Sequence, residues 1–268
     1  MTPEAAEKLE TFFAAFSGGK PPLLLLDYDG TLAPFRVDRF KARPWAGIRE
    51  LLARIQHRQR TRITVISGRP AGEVAQLLGL TPPPEIWGLH GAERLHPDGR
   101  RELEQLPVET QSRLNELREQ LKGDSFGGLF EDKANAVVMH WRGASPGKAA
   151  EIEERTRALF EPLAVGDGFM LLKFEAGLEL RAGRDKGAAA KAIVDEAEAS
   201  GGQRNAPVAF LGDDITDESA FRTVNALHGP HLSALVRREP RGTDADVWLR
   251  PPRELVEFLN RWLKAAAV

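Results

Sequence analysis

A run of four leucines at positions 23–26 is the feature that most constrains the fold. The run follows two prolines and is followed directly by the acidic segment 27–30. Short continuous apolar runs bounded by turn residues are typical of strands that are buried on both faces of a parallel sheet. The run therefore predicts an α/β protein whose first strand has a polar carboxyl end.

Alternating strand and helix patterns recur on both sides of a long middle segment. Before that segment, the apolar spacing predicts a helix over residues 44–60, a strand over 63–66, a helix over 71–80 and a strand over 85–89. After it, the spacing predicts a helix over 186–199, a strand over 208–211, a helix from near Thr216, strands over 233–236 and 246–249, and a helix over 252–265. The two series predict one Rossmann-like parallel sheet that is interrupted by an insertion.

The middle segment, residues 101–181, has a different pattern. It predicts a polar helix over 109–122, strands over 129–131 and 136–141, a helix over 146–160, and strands over 169–174 and 178–181. Antiparallel strands beside one layer of helices form an α+β domain. We therefore predict a core domain in two parts, residues 1–100 and 182–268, with an inserted α+β cap domain over 101–181.

The composition excludes several classes of partner. The 37 basic and 39 acidic residues nearly cancel, so no overall field attracts nucleic acid or an anionic membrane. The absence of cysteine excludes disulfides, thiolate metal sites and a cysteine nucleophile. Residues 1–20 lack the pattern of a signal peptide, and no apolar run approaches the roughly 20 residues that cross a bilayer. We expect a cytoplasmic protein that acts on a small molecule. The sequence leaves the oligomeric state open, with a monomer favoured.

Asp27 and Asp29 lie at the carboxyl end of the first predicted strand, where ligands bind in parallel α/β sheets. Side chains alternate along an extended chain, so both carboxylates face one side, where one can attack while the other transfers a proton. A carboxylate that attacks an anionic phosphate needs a cation such as Mg²⁺ beside it. Gly30 would allow a tight turn, and Thr31 offers a hydroxyl and an amide to a phosphate. Taken alone, this segment is more typical of a polar turn.

Asp213 follows the predicted strand at 208–211, and Asp214 and Asp217 come shortly after it. Mg²⁺ sites use one or two protein carboxylates together with substrate oxygens and water. We therefore expect Asp213 to bind the same cation as Asp27, with Asp214 and Asp217 behind it. The acidic first turn of a helix is the alternative interpretation, because carboxylates stabilise helix N-termini.

Ser67, Gly68 and Lys186 complete a predicted phosphate site. Ser67 and Gly68 come between a predicted strand and a predicted helix, so a hydroxyl and free amides are available to hold a phosphate. Lys186 begins another predicted helix and can offset the negative charge of carboxylates and phosphate. A helix cap and a solvated lysine are the alternatives, and only the combination with the acidic segments favours a phosphate site.

These four segments, in this order, resemble the haloacid dehalogenase superfamily of phosphohydrolases. The resemblance implies that Asp27 is the nucleophile and forms an aspartyl-phosphate, that Asp29 is the general acid and base, and that Ser67 and Lys186 hold the phosphate. It also implies a bound Mg²⁺, with ligands from Asp27, Asp29 and Asp213. The insertion at 101–181 falls where that superfamily carries its larger type of cap.

Segments 26–32, 66–69, 88–93 and 211–218 show a narrower resemblance, to trehalose-6-phosphate phosphatases. That resemblance implies hydrolysis of trehalose 6-phosphate and a set of substrate-binding residues: Arg69, Glu131, Lys133, His140, Arg142, Glu179 and Arg181. For Glu131, Lys133 and Arg142, an exposed ladder of charges across strands is the alternative. Segments 182–184 and 236–241 depart from the family pattern, which leaves the identity of the sugar open.

Three other functions are compatible with parts of the pattern. The substrate of a phosphatase can be another glycosyl phosphate, such as a glucosylglycerol or mannosylglycerate phosphate. A phosphomutase would pass the phosphoryl group to a second sugar hydroxyl instead of water. A receiver-like phospho-acceptor module also collects aspartates and a lysine at strand ends, but such a module has no cap.

Overall fold

The computed structural model describes residues 2–36, 38–123, 127–165, 168–174, 176–200 and 205–266. The chain divides into two compact units. We call Met1–Leu103 with Arg184–Val268 the core unit and Glu104–Gly183 the inserted unit. Both junctions lie two or three residues beyond the predicted boundaries at 100 and 181.

The described residues contain eight α-helices and twelve strands. The helices are α1 (Pro3–Ala14), α2 (Ile48–His57), α3 (Ala71–Leu78), α4 (Val108–Gly123), α5 (Pro146–Ala164), α6 (Lys186–Ala199), α7 (Glu218–Asn225) and α8 (Arg253–Ala265). The strands are β1 (Leu23–Leu26), β2 (Arg62–Ile66), β3 (Glu85–Gly88), β4 (Glu93–Leu95), β5 (Arg101–Leu103), β6 (Phe130–Lys133), β7 (Ala136–His140), β8 (Phe169–Phe174), β9 (Gly177–Ala182), β10 (Val208–Gly212), β11 (His231–Val236) and β12 (Val247–Leu249). None of the helices in this described part combines the length and the apolar composition that crossing a bilayer requires.

The core unit contains one eight-stranded sheet in the order β12-β11-β10-β1-β2-β3-β4-β5. The six strands from β12 to β3 are parallel, as predicted for a Rossmann-like core. Strands β4 and β5 add an antiparallel edge that the sequence did not predict. Residues 101–103 therefore belong to the core sheet and not to the inserted domain predicted over 101–181.

Both faces of the core sheet are covered by helices. Leu24 and Leu26 belong to an apolar cluster with residues of α1, α2, α3 and α8, whereas Leu23 and Leu25 belong to a second cluster with residues of α6 and α7. All four leucines are at most 1% exposed, and each contributes about 1.5–3 kcal/mol by burial. Burial on both faces explains why β1 has a continuous apolar sequence. Asp27, the next residue, lies at the carboxyl end of this strand.

The N-terminal helix α1 was not predicted. Thr2 caps its first turn, and aromatic residues at its C-terminal end pack against Trp262 of α8. This contact is remote in sequence, but a local signal for α1 was present, because Thr2 at the N-cap followed by Pro3 is a typical helix start.

The inserted unit contains a four-stranded antiparallel sheet in the order β6-β7-β9-β8. One face of the sheet packs on α4 and α5 through apolar side chains of β7 and β9, namely Val137, Met139, Leu178 and Leu180. The strand register places a set of polar side chains together on the other face: Glu131, Lys133, His140, Glu179 and Arg181. The predicted α+β pattern of the insertion is therefore confirmed.

Candidate active site

The carboxyl ends of β2, β1 and β10 are adjacent because these three strands are parallel neighbours in the sheet. Asp27 is the first residue after β1, and its backbone amide donates a hydrogen bond to the carbonyl of Leu211 in β10, at 2.8 Å. Ser67 and Asp213 are the first residues after β2 and β10. Three segments that are distant in sequence thus meet at one edge of the sheet.

Asp27, Asp213 and Asp217 form a buried acidic cluster. Each residue contributes one carboxylate oxygen, and these three oxygens lie within 4.8 Å of one another. The three residues are 3%, 4% and 0% exposed. Buried carboxylates this close repel one another strongly unless a cation lies among them.

Lys186, the first residue of α6, supplies one such cation. Its Nζ donates to Oδ1 of Asp27 at 2.6 Å and to Oδ1 of Asp217 at 2.7 Å. Burial lowers the pKa of Lys186, but the charges of Asp217 and Asp27 raise it by more than burial lowers it. The pKa of Lys186 therefore lies above its ordinary value. The lysine is therefore charged, and it fixes the orientation of Asp27.

One lysine does not balance three carboxylates. Burial, with a contribution from Asp217, raises the pKa of Asp27 to about 7 although Lys186 opposes the shift. Burial and the charge of Asp27 raise the pKa of Asp213 to about 9. The Oδ2 atom of Asp27 is buried and has no hydrogen-bond partner. A deficit of positive charge, all-oxygen donors and an unsatisfied carboxylate oxygen fit a hard divalent cation such as Mg²⁺.

Asp217 contacts both Lys186 and the backbone beside Asp213, whereas the sequence predicted only a position behind Asp213. Its Oδ2 accepts hydrogen bonds from the backbone amides of Asp213 and Asp214, both at 3.0 Å, while its Oδ1 accepts from Lys186. Asp214 instead accepts from the backbone amide of Ile215 at 2.6 Å and is exposed. Asp217 thus connects the lysine to the backbone of the segment that bears Asp213.

The side chain of Asp29 is held by Arg69. Nε of Arg69 donates to Oδ2 of Asp29 at 2.5 Å, and Nη2 donates to Oδ1 at 2.6 Å. Arg69, which we predicted to bind substrate, also donates to Glu73. Glu73 was not among the predicted site residues.

Thr31, Ser67 and Gly68 are available for a phosphate. Thr31 and Ser67 are 0% and 1% exposed, and the hydroxyl of Thr31 has no hydrogen-bond partner. The Ser67 hydroxyl accepts from the backbone amide of Arg69 at 3.2 Å. A Cβ atom at Gly68 would lie 2.7 Å from Nε2 of His90, so a larger residue at this loop position would have to displace the His90 ring.

Replacing Gly30 with alanine is expected to damage the site. Gly30 has φ +83°, and a Cβ atom there would lie 2.0 Å from Oδ2 of Asp213. We expect turnover to fall by about 10²-fold, because a displacement of roughly 1 Å in the arrangement of an active site can cost that much. Steady-state kinetics and thermal unfolding of the variant test this expectation.

Gly47→Ala is the matched control. Gly47 has φ +82°, but no atom lies within 4 Å of the position of its added Cβ. Both variants carry the cost of about 1–2 kcal/mol for a side chain in the left-handed region. Equal activity losses in the two variants would show that contact with Asp213 is unimportant.

Most of the predicted sugar-binding residues lie together on one face of the sheet in the inserted unit. In the inserted unit, Lys133 donates to Glu179 at 3.3 Å, and Nε2 of His140 lies 3.1 Å from Oε2 of Glu131. Glu179 is 8% exposed, and its Oε1 has no hydrogen-bond partner. Arg181 lies on the same face and is 3% exposed. Arg142 lies beyond β7 in an exposed turn.

The fold defines the broad class of protein. The structure is similar to that of a haloacid dehalogenase-like hydrolase from Bacteroides thetaiotaomicron, with a TM-score of 0.62, 20% sequence identity, and coverage of 91% of this chain and 100% of that one. It is also similar to the trehalose-6-phosphate phosphatase of Aspergillus fumigatus, with a TM-score of 0.71, 24% identity, and coverage of 96% and 97%. The fold is that of the haloacid dehalogenase-like hydrolases, which confirms the predicted fold class.

The sequence defines the family within that class. A family model for trehalose-phosphatase matches residues 25–247. The trehalose-phosphate phosphatase of Mycobacterium avium is 32% identical over 271 residues, which cover 97% of this chain and 66% of that protein. The chain therefore belongs to the trehalose-phosphatase family, and it spans about two thirds of the length of this relative.

Proposed function

We propose that this protein is a Mg²⁺-dependent phosphatase that hydrolyses trehalose 6-phosphate to trehalose and phosphate through phosphoryl transfer to Asp27. Membership of the trehalose-phosphatase family supports the substrate class. The observation that carries the proposal is the buried cluster of Asp27, Asp213 and Asp217, with Lys186 bound between two of its members.

In the first step, a carboxylate oxygen of Asp27 attacks phosphorus, and the bond between phosphorus and the sugar oxygen breaks. Asp29, in its protonated form, gives its proton to the departing oxygen, so trehalose leaves as a neutral alcohol. Ser67, Thr31 and the amide of Gly68 bind the phosphoryl oxygens, and Lys186 offsets their charge. The products of this step are trehalose and an aspartyl-phosphate on Asp27.

In the second step, the Asp29 carboxylate takes a proton from water while that water attacks phosphorus. The bond between phosphorus and the oxygen of Asp27 breaks, which releases phosphate and restores the Asp27 carboxylate. Asp27, Asp213 and the backbone carbonyl of Asp29 would hold Mg²⁺, which when bound offsets the repulsion between the nucleophile and the phosphate. Asp217 would orient Lys186, and Asp214 would support the loop behind Asp213.

We infer that the polar face of the inserted unit recognises the sugar. A disaccharide carries many hydroxyls, and each needs a donor or acceptor once water is excluded. Glu131, Lys133, His140, Glu179 and Arg181 offer both kinds of group on one face. Oε1 of buried Glu179 accepts no hydrogen bond and lies 3.9 Å from Nη1 of Arg181, which leaves it free to accept from a sugar hydroxyl.

Phosphate release from a panel of sugar phosphates tests the proposal. The panel contains trehalose 6-phosphate, glucose 6-phosphate, and the glucosylglycerol and mannosylglycerate phosphates, each assayed with Mg²⁺, with EDTA, and with Mg²⁺ added back. We expect kcat/KM to be highest for trehalose 6-phosphate and activity to disappear reversibly in EDTA. Preference for another sugar, or full activity in EDTA, would contradict the proposal.

Replacing Glu179 with glutamine is expected to raise KM for trehalose 6-phosphate by about 10- to 100-fold, because a hydrogen bond to a charged group contributes about 1.5–3 kcal/mol. The kcat/KM for p-nitrophenyl phosphate, which has no sugar, should change little. Glu161→Gln is the control, since it removes an ion pair with Arg157 on α5. Equal losses on both substrates would contradict a role of Glu179 in sugar binding.

A further inference from the structure

Arg69 is the centre of a chain of charged side chains that begins at Asp29. Two of its nitrogens donate to the two carboxylate oxygens of Asp29, at 2.5 and 2.6 Å. Its third nitrogen, Nη1, donates to Glu73 and, at 2.7 Å, to the backbone carbonyl of Arg39. The side chain of Arg69 is 10% exposed, so these partners, and not water, provide most of its hydrogen bonds.

Glu73 is held between two arginines. It lies in the first turn of α3, four residues after Arg69, and its side chain is 12% exposed. Nη2 of Arg39 donates to its Oε2 at 2.6 Å, and Nε of Arg39 donates to its Oε1 at 3.2 Å. Burial raises the pKa of Glu73, but hydrogen bonds from Arg39 and Arg69 bring it below its ordinary value.

This arrangement restricts the chemistry of Asp29. While both of its oxygens accept from Arg69, Asp29 is held as a hydrogen-bond acceptor, whereas a general acid must carry a proton on one of these oxygens and donate it. That oxygen has to turn from Arg69 towards the departing alcohol for Asp29 to act as the acid. Leaving a nearly buried arginine without any anionic partner is strongly unfavourable, because its charge is then neither solvated nor paired. Glu73 occupies a different nitrogen of Arg69, so the arginine keeps a carboxylate partner when Asp29 turns away.

We propose that Glu73 is a positioning residue for Asp29, because it fixes Arg69 and balances its charge while Asp29 moves between Arg69 and the reacting oxygen. This inference rests on the proposed function, in which Asp29 protonates the departing sugar oxygen. Glu73 contacts neither phosphate nor sugar in this scheme. Its loss should therefore lower kcat and leave KM nearly unchanged.

The leaving group provides a readout that a merely structural role would not affect. The alkoxide of trehalose is a poor leaving group and needs a proton from Asp29, whereas p-nitrophenolate departs without one. Formation of the aspartyl-phosphate from p-nitrophenyl phosphate therefore does not depend on where the side-chain carboxyl group of Asp29 lies. The two substrates separate damage to proton transfer from damage to the site as a whole.

The test uses Glu73→Gln, which keeps the shape of the side chain and removes its charge. Single-turnover rates are measured in the presence of Mg²⁺ by rapid quench, for trehalose release from trehalose 6-phosphate and for p-nitrophenolate release from p-nitrophenyl phosphate. We expect the first rate to fall by about 10- to 100-fold, a part of the 10²- to 10⁴-fold that general acid catalysis contributes. The second rate should stay within about threefold of the wild-type rate, since it requires no proton.

Two further variants keep the result interpretable. Glu196→Gln removes ion pairs with Arg62 and Arg94 elsewhere in the core unit and should affect neither rate. Arg39→Gln removes the other partner of Glu73 and should give a smaller loss with the same selectivity, which decides the question if Glu73→Gln does not fold.

Equal slowing of both substrates, a rise in KM alone, or behaviour like Glu196→Gln would overturn the inference. Wild-type protein that releases no phosphate from trehalose 6-phosphate would instead refute the proposed function, whatever these variants do.

Discussion

Replacing Asp27 with asparagine is expected to lower kcat for trehalose 6-phosphate by on the order of 10⁴- to 10⁶-fold, the loss typical of removing a nucleophile. The amide has the same shape but cannot form the acyl-phosphate bond. The fold should survive, because the substitution removes one of three mutually repelling buried carboxylates and leaves Lys186 bound to Asp217. Steady-state phosphate release and thermal unfolding of the same preparation measure both effects.

Asp195→Asn is the matched control for this prediction. It makes the same change of aspartate to asparagine at an exposed position of α6, where the side chain pairs with Lys191. We expect activity within about threefold of wild type, since surface substitutions rarely change stability by more than about 0.5 kcal/mol. Activity in Asp27→Asn comparable to that of this control would refute the assignment of Asp27 as the nucleophile.

Replacing Lys186 with methionine is expected to affect both stability and activity. The variant would leave Asp27, Asp213 and Asp217 buried without the lysine that bridges two of them. Removing one partner of a buried ion pair costs about 3–5 kcal/mol. The melting temperature should therefore fall by roughly 10 °C, at 2–4 °C per kcal/mol for a chain of this size. Turnover should fall by about 10³-fold through loss of electrostatic stabilisation.

The double variant Lys186→Met with Asp217→Asn separates the two effects. Removing one carboxylate together with the lysine relieves part of the repulsion, so the melting temperature should recover by several degrees. Activity should stay low, because the cation beside the phosphate is still missing. A double variant that regained activity along with stability would show that Lys186 acts only on the fold.

The sequence predicts the elements whose local pattern agrees with their tertiary environment. The bounds of β1 and α6 match the predicted ones, because β1 is buried on both faces and α6 begins directly after a capping aspartate, Asp185. Parallel pairing of β1 with β2 and β10 then brings their polar ends together. This topological rule allowed Asp27, Ser67 and Asp213 to be predicted as neighbours from sequence.

Other features depend on contacts that no local pattern specifies. Strands β4 and β5 are short, and all three residues of β5 are exposed, so no alternation marks them. The spacing of Arg69 and Glu73 is that of an i, i+4 ion pair, which was the available signal for Glu73. The pairing of Arg69 with Asp29, however, depends on how the loop after β2 packs beside the loop after β1, and no local pattern specifies that packing. The cytoplasmic location and the monomeric state stay predictions.

The stereochemistry of phosphoryl transfer tests the central claim most directly. Trehalose 6-phosphorothioate, made chiral at phosphorus with one heavy oxygen isotope, would be turned over by the wild-type enzyme with Mg²⁺ in water labelled with the other heavy isotope, so that the released thiophosphate carries sulfur and three different oxygens. Transfer to Asp27 and then to water inverts phosphorus twice, so we expect retention of configuration in the released thiophosphate. Inversion would mean that water attacks the substrate directly, and it would contradict the covalent role of Asp27.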